Sequence, residues 1–168
     1  LNINFKEIIF SSDNDFKFKI DKNFKFKNFD IKKIINIDYL KLKNFLKFKN
    51  NFPKIKNEII FENQKIKLKY KKDYLNIVGS GDILLQEQFD IIQYNVTKNE
   101  EEFNFDTNLN ITKNPFIIDL LGFIKNEKSN LDVSLKGKLI REKLFFKEII
   151  ISENKNILSI EDLKLSQD

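Results

Sequence analysis

The sequence predicts an all-β chain, a long antiparallel meander curled into a groove lined with apolar side chains, a repeating β-groove. Three observations predict it. Apolar and polar residues alternate with a period of two through most of the 168 residues, which places successive side chains on opposite faces of a strand. Short stretches rich in Asn and Asp, suited to turns, separate the alternating runs. An antiparallel sheet with one apolar face must cover that face, and at most one short helix is on hand to do it.

The elements follow in order. After IIF at 8–10 and a polar SSDND at 11–15, the run DFKFKI carries Phe16, Phe18 and Ile20 opposite Lys17 and Lys19. DKN breaks it, and Phe24 and Phe26 resume the alternation with Lys25 and Lys27. INIDYLKL (35–42) and EIIF (58–61) are strand-like, with KNNFP between them as a turn. ENQ at 62–64 reads as another turn before KIKLKYK, where Ile66, Leu68 and Tyr70 face away from four lysines. DILLQ (82–86) and DIIQYNV (90–96) follow. FNFDTNLNI sets Phe103, Phe105, Leu109 and Ile111 opposite Asn104, Asp106, Asn108 and Asn110. LDVSL repeats the pattern with Leu131, Val133 and Leu135, and KLFFKEIII (143–151) and ILSIEDLKL (157–165) close the chain. Twelve to fourteen strands are expected. NPFIIDLLGFIKN (114–126) fits a short helix, with Asn114 as N-cap and Pro115 at the first helical position. Its β-branched and aromatic content favours strand.

Three architectures can hide such a face. A membrane barrel wants Trp and Tyr girdles, and this chain has no Trp and four Tyr. A closed β-sandwich is the alternative, although four Gly and two Pro are few for its corners. A trough suits the uninterrupted meander, because a long twisted sheet curls. Its apolar lining would need an occupant that is not protein.

Composition excludes several chemistries. With no Cys and no His, thiolate nucleophiles, disulfides, zinc sites built on N or S ligands and histidine triads are ruled out. The net charge is +5, which invites anionic partners. Arg141 is the single arginine among 30 basic residues, and base and phosphate readout favours arginine's planar fork. The lysine strips also lie opposite the aromatics, whereas single-strand binders stack bases inside the basic groove. No nucleic-acid partner is expected. VGSGD (78–82) holds a GxG followed by a strand-like run rather than a helix, which fits a bend or bulge better than a nucleotide loop, and Gly137 is read the same way. The acidic clusters in KNEEEF and SSDND lack the spacing of a calcium loop or a glycosidase pair. The sequons at Asn95 and Asn110 fall within strands. No catalytic residue, metal ligand or cofactor is assigned, and the chain is read as non-enzymatic. It begins at Leu1 and is taken as one segment, 1–168, of a longer parent.

Two long stretches carry a family resemblance. One runs from KLKNFLKFKNNFPKIKNEIIF through GSGDILLQ to DIIQYNV. The other runs from NLNITKNPFIIDLLGFIKN through LKGKL and LFFKEIII to EDLKL. In this order they resemble the AsmA-like superfamily of bacterial envelope proteins, in particular its YhdP-like branch, over most of residues 40–168. The resemblance implies a bridge-like lipid carrier, anchored in the inner membrane of a Gram-negative bacterium and crossing the periplasm. Phospholipid acyl chains would ride in the groove, flanking groove segments of the same parent would continue it, and membranes would be met only by parts outside this segment. The lipid-lining residues it implies are Phe16, Phe18, Ile20, Phe24, Phe26, Ile66, Leu68, Tyr70, Phe103, Phe105, Leu109, Ile111, Leu131, Val133 and Leu135. The alternative function is a structural or adhesive β-sandwich or solenoid with a dry core and no lipid cargo.

Overall fold

The computed structural model describes residues 5–43, 55–72, 74–118, 122–125, 129–141 and 143–165, with backbone alone at 5, 26–29, 118 and 165. Every regular element among them is a strand: β1 (Phe5–Ile20), β2 (Phe26–Lys43), β3 (Glu58–Lys71), β4 (Tyr74–Leu84), β5 (Phe89–Asn99), β6 (Glu102–Ile111), β7 (Phe116–Ile118), β8 (Phe123–Lys125), β9 (Leu131–Ile140), β10 (Lys143–Glu153) and β11 (Asn156–Leu165). Nine of them form one antiparallel sheet in the order β1-β2-β3-β4-β5-β6-β9-β10-β11, and β7 pairs with β8 as a separate hairpin. The chain is all-β. The large sheet is not closed into a barrel, and β1 and β11 are its edges. At about 4.8 Å per strand the eight spacings span roughly 38 Å.

Among the described residues fewer strands form than the punctuation suggests, because two expected turns are not turns. SSDND lies inside β1, paired with Lys32 to Asn36 of β2. Its polarity reflects an edge strand wet on both faces. ENQ lies inside β3, where Asn63 adopts a left-handed φ of 52° and the β3–β4 register shifts between Glu62 and Lys65. That is a β-bulge, which kinks a strand without ending it. The 114–126 stretch resolves to the hairpin β7–β8 at its described positions, while 119–121 and 126 lie outside them, as does all of KNNFP at 49–53.

The tight turns use ordinary residues where glycine is usual. Lys72, Glu100, Arg141 and Asn154, each opening a two-residue connection, have φ between 45° and 55°. Positive φ there matches the twist of the flanking strands. A low glycine count therefore does not forbid sharp reversals. The DKN turn is closed by backbone bonds from the Asp21 amide to the Lys25 carbonyl and from the Phe24 amide to the Asp21 carbonyl, and by one side chain. The Asp21 carboxylate accepts from the amides of Asn23 and Lys25 at 2.9 and 3.0 Å, which draws Phe24 into the turn.

Connections β1–β2, β3–β4, β5–β6 and β9–β10 all lie along one rim of the sheet. Connections β2–β3, β4–β5, β10–β11 and the long link from β6 to β9 lie along the other. That link contains the hairpin β7–β8, which folds back over the sheet. Phe116 and Phe123 pack there on a small dry core of Ile111, Leu131, Val133 and Ile151.

Candidate functional site

Register assigns every strand residue to a face. Tyr70 pairs with Leu75, Leu75 with Lys98, Lys98 with Phe103, and Phe103 with Leu139. The next row inward runs Leu68, Ile77, Val96, Phe105, Gly137, Phe146. Rows further in hold Ile66 beside Ile35, and Leu109, Val133 and Ile151 side by side. Phe16 joins through Ile31, and alternation carries Phe18 and Ile20 with it. Fourteen of the fifteen expected lining positions therefore share one face of one sheet. Phe26 is among them by its pairing with Ile20, and its side chain lies outside the described residues. Phe24 is the exception. It sits in the β1–β2 turn with φ 57° and is 86% exposed.

Cover over this face is uneven. Ile111 and Leu131 are fully buried beneath the hairpin. Ile66, Leu68, Tyr70, Phe103, Phe105, Leu109 and Leu135 are half-buried, and Val133 is buried. Phe16, Phe18 and Ile20, on the edge strand, stay about half exposed, at 51%, 50% and 50%. Among the described residues, no second layer of strands or helices lies over the face beyond the hairpin.

Glycines open two holes in the face, and aromatic rings fill them. Tyr94 lies over Gly79, where a Cβ would come within 2.3 Å of its ring. Phe105 leans over Gly137. Neither glycine carries a bulge itself. The β9–β10 register shifts beside Gly137, between Phe146 and Glu148 of β10. The β3–β4 shift lies opposite Gly81 in the same way. Bulges left carbonyls in need of donors, and Gln64 supplies them. Its buried amide donates to the carbonyls of Asp82 at 2.8 Å and Glu62 at 3.2 Å, and its oxygen accepts from the Tyr94 hydroxyl at 3.2 Å. Burial raises the Tyr94 phenol above its ordinary pKa.

A polar latch fixes the hairpin. Lys125 is fully buried, and its ammonium donates to the carbonyls of Asn114 at 2.7 Å and Thr112 at 3.1 Å. The Asn114 amide donates to Asp90 at 2.7 Å and to the Gln88 carbonyl at 2.6 Å. Its oxygen accepts from the Gln88 amide. Burial pushes the Asp90 carboxyl up, against the pull of Asn114, the Thr112 amide and Lys125. Asn114 thus caps no helix, and ties the β6–β9 link to the β4–β5 turn.

Charge on the apolar face is divided between the rims. Asp90 and Glu153 lie at the hairpin rim, opposite Ile83 and Leu131 respectively. Glu153 accepts from the Ser129 hydroxyl. Lys98 lies in the outermost row of the other rim, and Lys33 one row inward, beside Leu68. Each lysine stands over a ring of this face, Lys33 over Phe16 and Lys98 over Phe103, at 5.6 Å in both cases.

The opposite face is mixed and mainly polar. It carries Lys65, Lys67, Lys69 and Lys71, the asparagines of β6, and isolated apolar residues such as Ile34, Val78 and Ile91. A cavity of about 750 Å³ opens mainly on this side, with Asn104, Asp106, Lys136 and Lys164 in its lining, and reaches Phe105, Gly137 and Phe146 of the apolar row. Lys136 pairs with Glu148 and Lys138 with Glu102. Near the hairpin rim, Lys6 and Lys41 both pair with Glu58, which ties β1, β2 and β3. The Lys41 and Lys6 ammonium groups lower the Glu58 carboxyl to about 2.

Among the described residues, no group of three or more acidic side chains could hold a metal, and no helix is long and apolar enough to cross a membrane. Sequence reasoning missed the polar inlay: Gln64, Tyr94, Asp90, Lys125, Lys33 and Lys98. Lys33 leaves a faint trace in IKKII, where a strict alternation would not put two lysines together. No protein-family model matches the chain, and no curated protein and no solved structure matches it.

Proposed function

We propose that this chain is a non-enzymatic section of a groove that carries phospholipid, its apolar face sheltering acyl chains while headgroups stay wet at an open rim. One observation carries the reading. Fourteen apolar positions chosen for period-two spacing share a single face of an open sheet, and the hairpin covers only one corner of that face. An apolar strip of this extent exceeds what soluble chains leave bare without a partner. Acyl chains suit it because each methylene withdrawn from water contributes about 0.8 kcal/mol and asks for no particular geometry. The resemblance to AsmA-like proteins supports a setting in the periplasm between two membranes, with further groove segments at either edge strand.

The test is native mass spectrometry with lipid extraction on the chain purified gently from a bacterial host. Co-purifying phospholipid, lost on Phe18→Asp, supports the groove. A lipid-free, protease-resistant protein that ignores hydrophobic dyes returns the chain to the structural or adhesive reading. The dry core under β7–β8 would then be the centre of its packing.

A further inference from the structure

The apolar face holds two lysines whose placement is not explained by packing. Lys33 and Lys98 lie on the face where Leu68, Ile77, Val96 and Leu75 also lie. An ammonium on such a surface is normally paired or moved to the solvent side. Neither lysine forms an ion pair among the described residues, and each stands over a phenylalanine ring instead. Three strand spacings separate them, roughly 14 Å across the sheet. The intervening side chains are apolar, including Leu68, Tyr70, Leu75 and Ile77. The acids of this face, Asp90 and Glu153, lie at the far rim, where the hairpin and their own hydrogen bonds occupy them.

We propose that Lys33 and Lys98 are each a headgroup anchor for an anionic lipid, one lipid to each lysine, with the tails lying on the apolar rows of the face. This rests on the lipid-groove reading and adds to it a ligand class and an orientation. Each anion meets an ammonium group on the part of the face away from the hairpin and is turned away from the acidic, covered rim. An acyl chain alone would need neither lysine. Because the two lysines lie roughly 14 Å apart and lean toward rings on opposite sides, Lys33 over Phe16 and Lys98 over Phe103, each offers a charge-assisted hydrogen bond to the phosphate of a separate diacyl lipid, and the ring beneath each ammonium keeps it over the face rather than out in water.

The experiment compares uptake of fluorescent phosphatidylglycerol and fluorescent diacylglycerol, each offered in neutral phosphatidylcholine vesicles, by the full chain. Lys33→Gln with Lys98→Gln is expected to weaken phosphatidylglycerol uptake about tenfold or more and to leave diacylglycerol unchanged. Lys33→Arg with Lys98→Arg should retain the preference. Lys67→Gln with Lys69→Gln removes the same charge from the opposite face and should change neither lipid. Equal uptake of both lipids by the wild-type chain, or an equal loss in the opposite-face variant, overturns the anchors and leaves the groove standing. Uptake of neither lipid overturns both. Competition by millimolar inorganic phosphate as strong as that by phosphatidylglycerol would make the lysines a free-anion site and also overturns the proposal.

Discussion

Phe105 and Phe146 meet edge to face across Gly137, their ring centroids 5.7 Å apart and their planes at 78°, although strand β9 separates them. A Cβ on Gly137 would fall 2.2 Å from the carbonyl oxygen of Phe145 and 2.7 Å from the Phe105 ring. Backbone cannot yield as a side chain can. Gly137→Ala is expected to cost about 3 kcal/mol in urea unfolding. Gly79→Ala should cost less, because its clash is with the Tyr94 ring, which can swing away. The reverse order would show that the rings, not the backbone, fix these glycines.

Gln64 closes the bulge at Asn63. Gln64→Leu keeps the volume but strands the carbonyls of Glu62 and Asp82, at roughly 1–3 kcal/mol for each group left unpaired. Tyr94→Phe removes only the hydroxyl that donates to Gln64 and should cost about 1 kcal/mol. Denaturant midpoints of the two variants, measured side by side, test that ranking.

The Lys6–Glu58–Lys41 cluster gives the first three strands a dependence on acid. Glu58 has a folded pKa of about 2 against an ordinary 4.5. A depressed carboxyl contributes in full above its unfolded value and loses that contribution as pH falls through its folded one. The loss should therefore run from about 4.5 down to about 2. Glu58→Gln is expected to flatten this limb by lowering stability above about 4.5, where the slope stays unchanged. Unfolding curves taken at steps through that window decide it. An unchanged limb would mean that other carboxylates govern acid unfolding.

Lys125→Met removes the ammonium that satisfies Thr112 and Asn114 and leaves the Asp90 carboxylate without a nearby cation. Breaking one side of a buried charge arrangement costs on the order of 3 kcal/mol. Faster amide exchange at 123–125 and at 131–133 is expected, with β1 and β2 unaffected. Asp90 has the opposite sign to Glu58. Its folded pKa is raised, so it withdraws stability as pH climbs from its unfolded value through its folded one.

The sheet was legible because alternation is a direct image of the pleat. Phe103, Phe105, Leu109 and Ile111 needed no tertiary information to be placed together. Strand ends were less legible. SSDND and ENQ have the composition of turns, and only the pairing of Ser12 with Ile35 and the donors of Gln64 show why the chain runs straight through them. Asn114 before Pro115 has the local signature of a helix start. Its bonds to Gln88 and Asp90 come from residues more than twenty positions away, which no local window contains. Lys33 and Lys98 were hidden by their number, two among many lysines whose side of the sheet depends on register.

Because each strand of the large sheet packs chiefly on its two ladder neighbours, the protein behaves as a nearly one-dimensional stack. In such a stack stability is a sum of unit and nearest-neighbour contributions, and melting starts from the ends. The edge strand β1 should loosen first and the strands beneath the hairpin last. A lesion in any strand would be felt by that strand and the two beside it. Damage at distant strands would add rather than compound, until one break divided the ladder into two pieces that melt separately.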